Sequence, residues 1–113
     1  MQYVFLIHDD ETQQHVGSPE RLAAYGKFSE EVGGRGIMRG GARLRPTSAA
    51  TTVRIRNGKT LTTDGPFAET KEQLGGFYIL DCKDLDEALA YAAKIPSADG
   101  GSIEVRPVWE MGE

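Results

Sequence analysis

The sequence predicts an α+β domain built from two βαβ units joined through an added β-hairpin. Residues 2–8 and 76–82 are apolar on both alternating faces, which is typical of strands covered on both sides. Each is followed by a segment with apolar residues at helical spacing, and an Asn-Gly pair lies between two alternating segments. The predicted order is strand, helix, strand, hairpin, strand, helix, strand.

The first unit contains a strand over residues 2–8 and a helix that runs from Pro19 to about Val32. Ser18 is a favourable N-cap, and proline is favoured at the first helical position. Gly33-Gly34 is expected to end the helix. Its apolar stripe consists of Leu22, Tyr25, Phe28 and Val32. A glycine-interrupted edge strand is expected over residues 36–44.

A hairpin is predicted between residues 51–56 and residues 59–63, with Asn57-Gly58 as its turn. Asn-Gly suits such a turn because both residues tolerate positive φ. A long polar segment follows over residues 62–76. Connections of this length in small domains are often functional. We therefore expect a binding site or catalytic site beside this loop.

The second unit places a strand over residues 76–82 before a helix capped by Asp84, with Glu87 three residues later in a capping-box pattern. Pro96 is expected to end this helix, and a last strand covers residues 102–108. Two helices shield only one face of a sheet. Since two strands are apolar on both faces, we predict a homodimer whose sheets pack face to face.

Length and composition fit a single domain over residues 1–113, with 39% hydrophobic and 27% charged residues. No segment matches a signal peptide or a membrane span, so a cytoplasmic location is the expectation. The single cysteine, Cys82, excludes an internal disulfide and is expected to be buried and inert.

The net charge of −4 is unevenly distributed, because residues 35–59 contain seven basic residues and no acidic ones. This basic segment fits either an anionic ligand or the acidic surface of a partner subunit, or simply solvated strand edges. Nucleic-acid binding is not expected, since the chain is acidic and its aromatic residues follow core patterns.

Several motifs together resemble the DGPF branch of the YCII-related proteins over nearly the whole chain. They are Thr63-Asp64-Gly65-Pro66-Phe67-Ala68-Glu69-Thr70-Lys71-Glu72, Gly75-Gly76-Phe77, Asp84-Leu85-Asp86-Glu87-Ala88 and Glu104-Val105-Arg106-Pro107. The resemblance implies a ferredoxin-like dimeric α+β barrel. It also implies similarity to cofactor-independent enzymes, among them a dehydrochlorinase, for which a histidine–aspartate pair is proposed.

By this resemblance Asp64 is the candidate for the acidic partner of that pair. In many YCII-like chains the histidine opens the first helix, but the corresponding residues here are Glu20-Arg21-Leu22. The pair is therefore either absent or rebuilt from other residues. DGPF proteins are often encoded beside extracytoplasmic-function sigma factors, which suggests an accessory role in regulation.

Two residues are candidates for acid–base catalysis. His8 ends the first strand and either serves as a base at the mouth of a pocket or bonds locally to backbone, Asp9 or Asp10. Asp64 either acts as a general base, or orients one, in a cleft closed by Phe67, or it caps the Gly-Pro turn. His15 lies in a polar loop and is expected to be solvated.

Candidates for binding a carboxylate or phenolate are Arg39, Arg43, Arg54, Lys71 and, through its ring, Phe67. The alternative is that the cations lie at solvated edges or pair with Glu69 and Glu72. No metal or cofactor is expected, because residues 8–11 match no recurrent metal spacing and no nucleotide-binding motif occurs.

The leading hypothesis is a small-molecule binding protein or cofactor-independent lyase- or hydrolase-like enzyme. Its pocket lies beside the polar segment over residues 62–76, which we call the DGPF loop. The alternative is an interaction or accessory protein for a sigma-factor-associated transcription regulator. A deep cavity lined by Asp64, His8 and arginine favours the first hypothesis, and a flat exposed loop favours the second.

Overall fold

The computed structural model describes residues 1–112. Its strands and helices follow the predicted order. They are β1 Gln2–Asp9, α1 Pro19–Gly34, β2 Met38–Arg43, β3 Thr51–Arg56, β4 Lys59–Asp64, β5 Gln73–Asp81, α2 Leu85–Ala92 and β6 Ser102–Pro107. Short 3₁₀ turns cover Thr47–Ala49 and Pro96–Ala98.

The main sheet has four antiparallel strands in the order β2-β5-β1-β6. Both helices pack on one face of this sheet, which confirms the α+β, ferredoxin-like architecture. Phe5 at the centre of β1 lies opposite Tyr78 of β5 and Val105 of β6. The buried core between sheet and helices contains Tyr3, Phe5, Ile7, Phe28, Val32, Tyr78, Leu80, Cys82, Ala88, Tyr91, Ala92 and Ile95.

The second face of the sheet is not covered by the described part of the chain. Val4 pairs with Ile79 and Leu6 with Phe77 on this face, and all four side chains are only partly buried. The protein measures 47 × 43 × 19 Å along its principal axes. This small thickness fits one layer of helices on one sheet, so an apolar strip remains open.

Strands β3 and β4 form a separate two-stranded sheet that we call the hairpin arm. Its turn has positive φ at Asn57 (53°) and Gly58 (74°), which confirms the predicted hairpin geometry. The base of the arm is held by Gly65, whose N–H donates to the Ala50 carbonyl at 2.7 Å. Thr52 Oγ1 donates to the Gly65 carbonyl at 2.8 Å.

The helix caps agree with the sequence-based expectations, whereas three element ends do not. The Arg21 N–H donates to Ser18 Oγ at 3.1 Å, and the Glu87 N–H donates to Asp84 Oδ1 at 2.9 Å. Helix α1 continues through Gly33-Gly34, and the left-handed residue that follows it is Gly36, with φ of +71°. Helix α2 ends at Ala92 before Pro96, and β5 begins inside the predicted polar loop.

No helix within residues 1–112 is long and apolar enough to cross a membrane.

Candidate functional site

A cavity of about 410 Å³ lies between α1 and strands β2 and β5, on the side of the sheet that the helices cover. The loop between β1 and α1 and the segment after β2 form its rim. Apolar residues in its lining include Ile7, Val16, Met38 and Leu44. Polar residues in its lining include Asp9, Arg21, Tyr25, Ser29, Arg43 and Tyr78. A mostly apolar cavity with a few convergent polar groups is typical of a small-molecule site.

Asp9 reaches the cavity because it ends β1 on the same face as Ile7, and strand residues two apart share a face. Ser97 Oγ donates a hydrogen bond to Asp9 Oδ2 at 2.5 Å. The same hydroxyl accepts from Tyr25 OH at 2.5 Å and from Arg21 Nη1 at 3.2 Å. Ser97 is fully buried, so β1, α1 and the turn after α2 meet at one hydroxyl group.

The backbone at Gly101 passes very close to Asp9 and Ser97. This is possible because glycine has no side chain. A Cβ at this position would lie 2.4 Å from the His8 carbonyl oxygen, 2.6 Å from Asp9 Oδ1 and 2.8 Å from the Ser97 carbonyl oxygen. The Gly101 N–H also donates to the Ser97 carbonyl at 3.0 Å. Glycine is therefore required where the chain enters β6.

Two tyrosine hydroxyls contribute to the polar part of the cavity. Tyr78 OH and Ser29 Oγ are hydrogen-bonded at 2.7 Å, which joins β5 to α1. Burial raises the pKa of Tyr25, and the nearby negative charge of Asp9 raises it further. The Tyr25 phenol therefore keeps its proton at neutral pH and uses it in the hydrogen bond to Ser97 Oγ.

Arg43 provides a cation at the rim of the cavity. It extends from β2 towards the loop before α1, where its Nη2 lies 3.5 Å from the position of a Cβ at Gly17. No carboxylate lies within ion-pair distance of Arg43 in the described part of the chain. Opposite, Glu11 accepts from the N–H and the hydroxyl of Thr47 at 2.9 and 2.7 Å, which joins two rim loops.

Of the site residues predicted from the sequence, only Arg43 lines this cavity. His8 lies on the open face of the sheet, where its Nε2 is 3.7 Å from Glu104 Oε1. Asp64 ends β4 on the hairpin arm and is exposed. No hydrogen bond or ion pair joins Asp64 to His8 within residues 1–112, so one copy of the chain does not assemble them.

The other predicted ligand-binding residues lie elsewhere on the surface. Arg39 donates to the Gly36 carbonyl at 2.7 Å and to Asp81 Oδ2 at 3.2 Å. Arg54 Nη2 donates to the Phe67 carbonyl at 3.3 Å, which ties the arm to the DGPF loop. The Phe67 side chain is 79% exposed, and Lys71 is exposed as well.

Sequence reasoning did not assign Asp9, Tyr25 or Ser97 to a site. A usable signal exists for Asp9, because the alternation of β1 places it on the helix-covered face with Tyr3, Phe5 and Ile7. The spacing of Tyr25 along the sequence indicates only a place in the apolar stripe of α1. Ser97 carries no local signal, since its partner Asp9 is 88 positions away.

Comparisons with known proteins agree with this architecture. The family model of the YCII-related domain matches residues 1–112. An uncharacterised protein of Rhizobium meliloti is 44% identical over 117 aligned positions, which span 96% of this chain and 92% of that protein.

A solved structure also resembles the chain. It is 5-chloro-2-hydroxyhydroquinone dehydrochlorinase from Burkholderia phenoliruptrix AC1100, in complex with 2,5-dihydroxybenzoquinone. The TM-score is 0.57 at 16% sequence identity, and the match covers 99% of this chain and 96% of the other. At this identity the likeness concerns the fold.

Proposed function

This protein belongs to the YCII-related domain family, and on that premise we propose that it binds a small anionic or phenolic molecule and catalyses proton transfer on it without a cofactor. The observation that carries the proposal is the cavity between α1 and the sheet, where apolar walls surround a carboxylate, a phenol and a rim arginine.

Each part of the cavity fits a separate requirement of such a ligand. The apolar lining excludes water from a ring or short hydrocarbon. Arg43 offers a planar, permanently charged fork that pairs with a phenolate or carboxylate. Asp9 presents a carboxylate at hydrogen-bond reach of a bound molecule, as a general base requires.

The structural neighbour supports the ligand class by analogy. That enzyme is named for 5-chloro-2-hydroxyhydroquinone and holds 2,5-dihydroxybenzoquinone, and both molecules are hydroxylated six-membered rings. A shared fold alone does not transfer an activity. The argument for this protein therefore depends on Asp9, Tyr25 and Arg43.

We further propose a homodimer in which the open sheet faces of two copies pack together. The half-buried strip of Val4, Leu6, Phe77 and Ile79 supports this arrangement, because one chain leaves it exposed to water. The acid–base roles predicted for Asp64 and His8 depend on this dimer. In this proposal the hairpin arm of a second copy brings Asp64 to the open face that carries His8.

Binding of 4-nitrophenol tests the cavity, because its absorbance reports whether it is bound as phenol or phenolate. We expect wild-type protein to bind the phenolate and to be stabilised in thermal unfolding. Arg43→Met should weaken binding at least about tenfold, since a charge-assisted bond contributes roughly 1.5–3 kcal/mol.

Arg54→Met on the hairpin arm is the matched control and should bind like wild type. Loss of binding in Arg54→Met, but not in Arg43→Met, would move the site to the arm and the DGPF loop. If neither 4-nitrophenol nor a panel of small phenols and carboxylates binds, the enzyme proposal fails. The accessory role beside a sigma-factor-associated regulator would then be favoured.

A further inference from the structure

Asp9 of β1 and Tyr25 of α1 both line the cavity. They are connected through Ser97, which does not line it. Ser97 lies behind them, fully buried, and its hydroxyl donates a hydrogen bond to Asp9 Oδ2. Tyr25 OH and Arg21 Nη1 both donate to the Ser97 oxygen. These two donors occupy the lone pairs of Ser97, so its own proton is directed to Asp9.

We propose that Asp9 and Tyr25 act as proton acceptor and proton donor on one bound ligand, with Ser97 as the positioning residue between them, and that the reaction is a keto–enol tautomerisation. This inference rests on the proposed function, in which the cavity binds a hydroxylated molecule. It adds an acid partner to Asp9 and narrows the substrate to enols and polyhydroxylated rings.

The proton balance of this reaction closes within the site. Asp9 removes the proton of a ligand hydroxyl, and the O–H electron pair forms a carbonyl. The Tyr25 hydroxyl then turns from Ser97 towards the ligand, and the electron pair of the adjacent carbon–carbon double bond takes its proton at carbon. Asp9 is left protonated and Tyr25 is left as phenolate.

Ser97 restores the starting state of the two groups. Its hydroxyl turns from Asp9 to the Tyr25 phenolate and passes its proton there, while its oxygen takes the proton of Asp9. No oxidant, water molecule or cofactor is consumed in this cycle. A ligand that uses both groups needs an acidic hydroxyl and a protonatable carbon in the same conjugated system.

Titration of Tyr25 without any ligand tests whether the Asp9 charge lies beside its phenol. The charged groups that face this phenol are Asp9 from β1 and Arg21 from α1. Because the Asp9 charge helps to raise the pKa of Tyr25, Asp9→Asn should shift the ultraviolet titration of Tyr25 to lower pH. Tyr25→Phe identifies the signal, and Tyr91→Phe, outside the cavity, is the control. An unchanged Tyr25 titration in Asp9→Asn would overturn the proposed connection of Asp9 to Tyr25 through Ser97.

Hydrogen exchange of resorcinol tests the chemistry. Its ring protons exchange with D₂O through the keto tautomer, which proton NMR follows as loss of ring signals. We expect wild type and Tyr91→Phe to accelerate this exchange. Tyr25→Phe and Asp9→Asn should each lose at least tenfold in rate. Ser97→Ala should lower the rate while leaving resorcinol affinity within about twofold.

The outcomes separate this inference from the proposed function. Resorcinol that binds to wild type without faster exchange overturns the donor–acceptor pair and leaves the binding site standing. Equal losses of affinity and rate in Ser97→Ala would mean that Ser97 only maintains the fold. Failure of resorcinol and 4-nitrophenol to bind at all counts against the proposed function, and the ligand-free titration still decides whether the Asp9 charge lies beside the Tyr25 phenol.

Discussion

The Asp9 carboxylate lies against the backbone of the turn that precedes β6, and Gly101 is the residue that permits this contact. The three oxygens that surround a Cβ at this position are 2.4, 2.6 and 2.8 Å away, and two of them belong to backbone carbonyls. Backbone atoms cannot move aside as a flexible side chain can. A side chain of any size at position 101 therefore displaces Asp9, Ser97 or the strand itself.

Gly101→Ala is expected to destabilise the protein by about 1–3 kcal/mol, the usual cost of inserting atoms into a packed region. The measurement is the urea midpoint of unfolding at unchanged slope. Because Asp9 is displaced, the acceleration of resorcinol exchange should fall in the same variant. Unchanged stability would show that the chain is less tightly packed here than the structure indicates.

At the scale of single elements, local chemistry determines where most strands and helices begin. Ser18, Asp84 and Asn57-Gly58 act through neighbouring backbone groups, so their roles were predictable from the sequence. The end of α1 was less predictable, because Gly33-Gly34 stays helical while the Arg35 N–H bonds to the Glu31 carbonyl. A glycine permits a left-handed turn but does not require one.

The candidate site was only partly predictable for the same reason. Arg43 was identified because it lies in a basic segment of the sequence. The contact of Asp9 with Ser97 and Tyr25 depends on tertiary packing, and no spacing along the chain encodes it. The DGPF motif directed attention to Asp64, which a single chain places on the arm, away from the cavity.

Helix α1 also contains a glycine that it does not need for packing. A Cβ at Gly26, in the middle of the helix, would meet no atom within 4 Å. Gly26→Ala should therefore raise the free energy of unfolding by about 0.5–1 kcal/mol, since alanine loses less backbone entropy. The test is the same urea titration, and a loss of stability would contradict the open space at this position.

The whole molecule is flat, with one bare sheet face and a projecting arm. Its radius of gyration is 15.9 Å, compared with about 13 Å for a compact domain of this length. Val53 and Ile55 on the arm are 60% and 65% exposed, which adds apolar surface beyond the sheet. In the proposed homodimer, the open sheet faces of the two copies would be removed from water.

Leu6→Lys tests the dimer, because it places a charge on the open face beside Phe77. Light scattering after size exclusion should give the dimer mass for wild type and the monomer mass for this variant. Leu89→Lys, at an exposed position of α2, is the control and should remain dimeric. A wild-type monomer at micromolar concentration would refute the face-to-face arrangement.

The position of β1 at the centre of the sheet has a consequence for how the protein acquires its structure. Both neighbours of β1 lie far along the chain, at Gln73–Asp81 and Ser102–Pro107. During synthesis the first strand therefore waits without a partner while more than half of the sequence is made. Such long loop closures slow folding. Until its partners are made, β1 is an exposed apolar segment, which is the kind of segment that a chaperone would protect in the nascent chain.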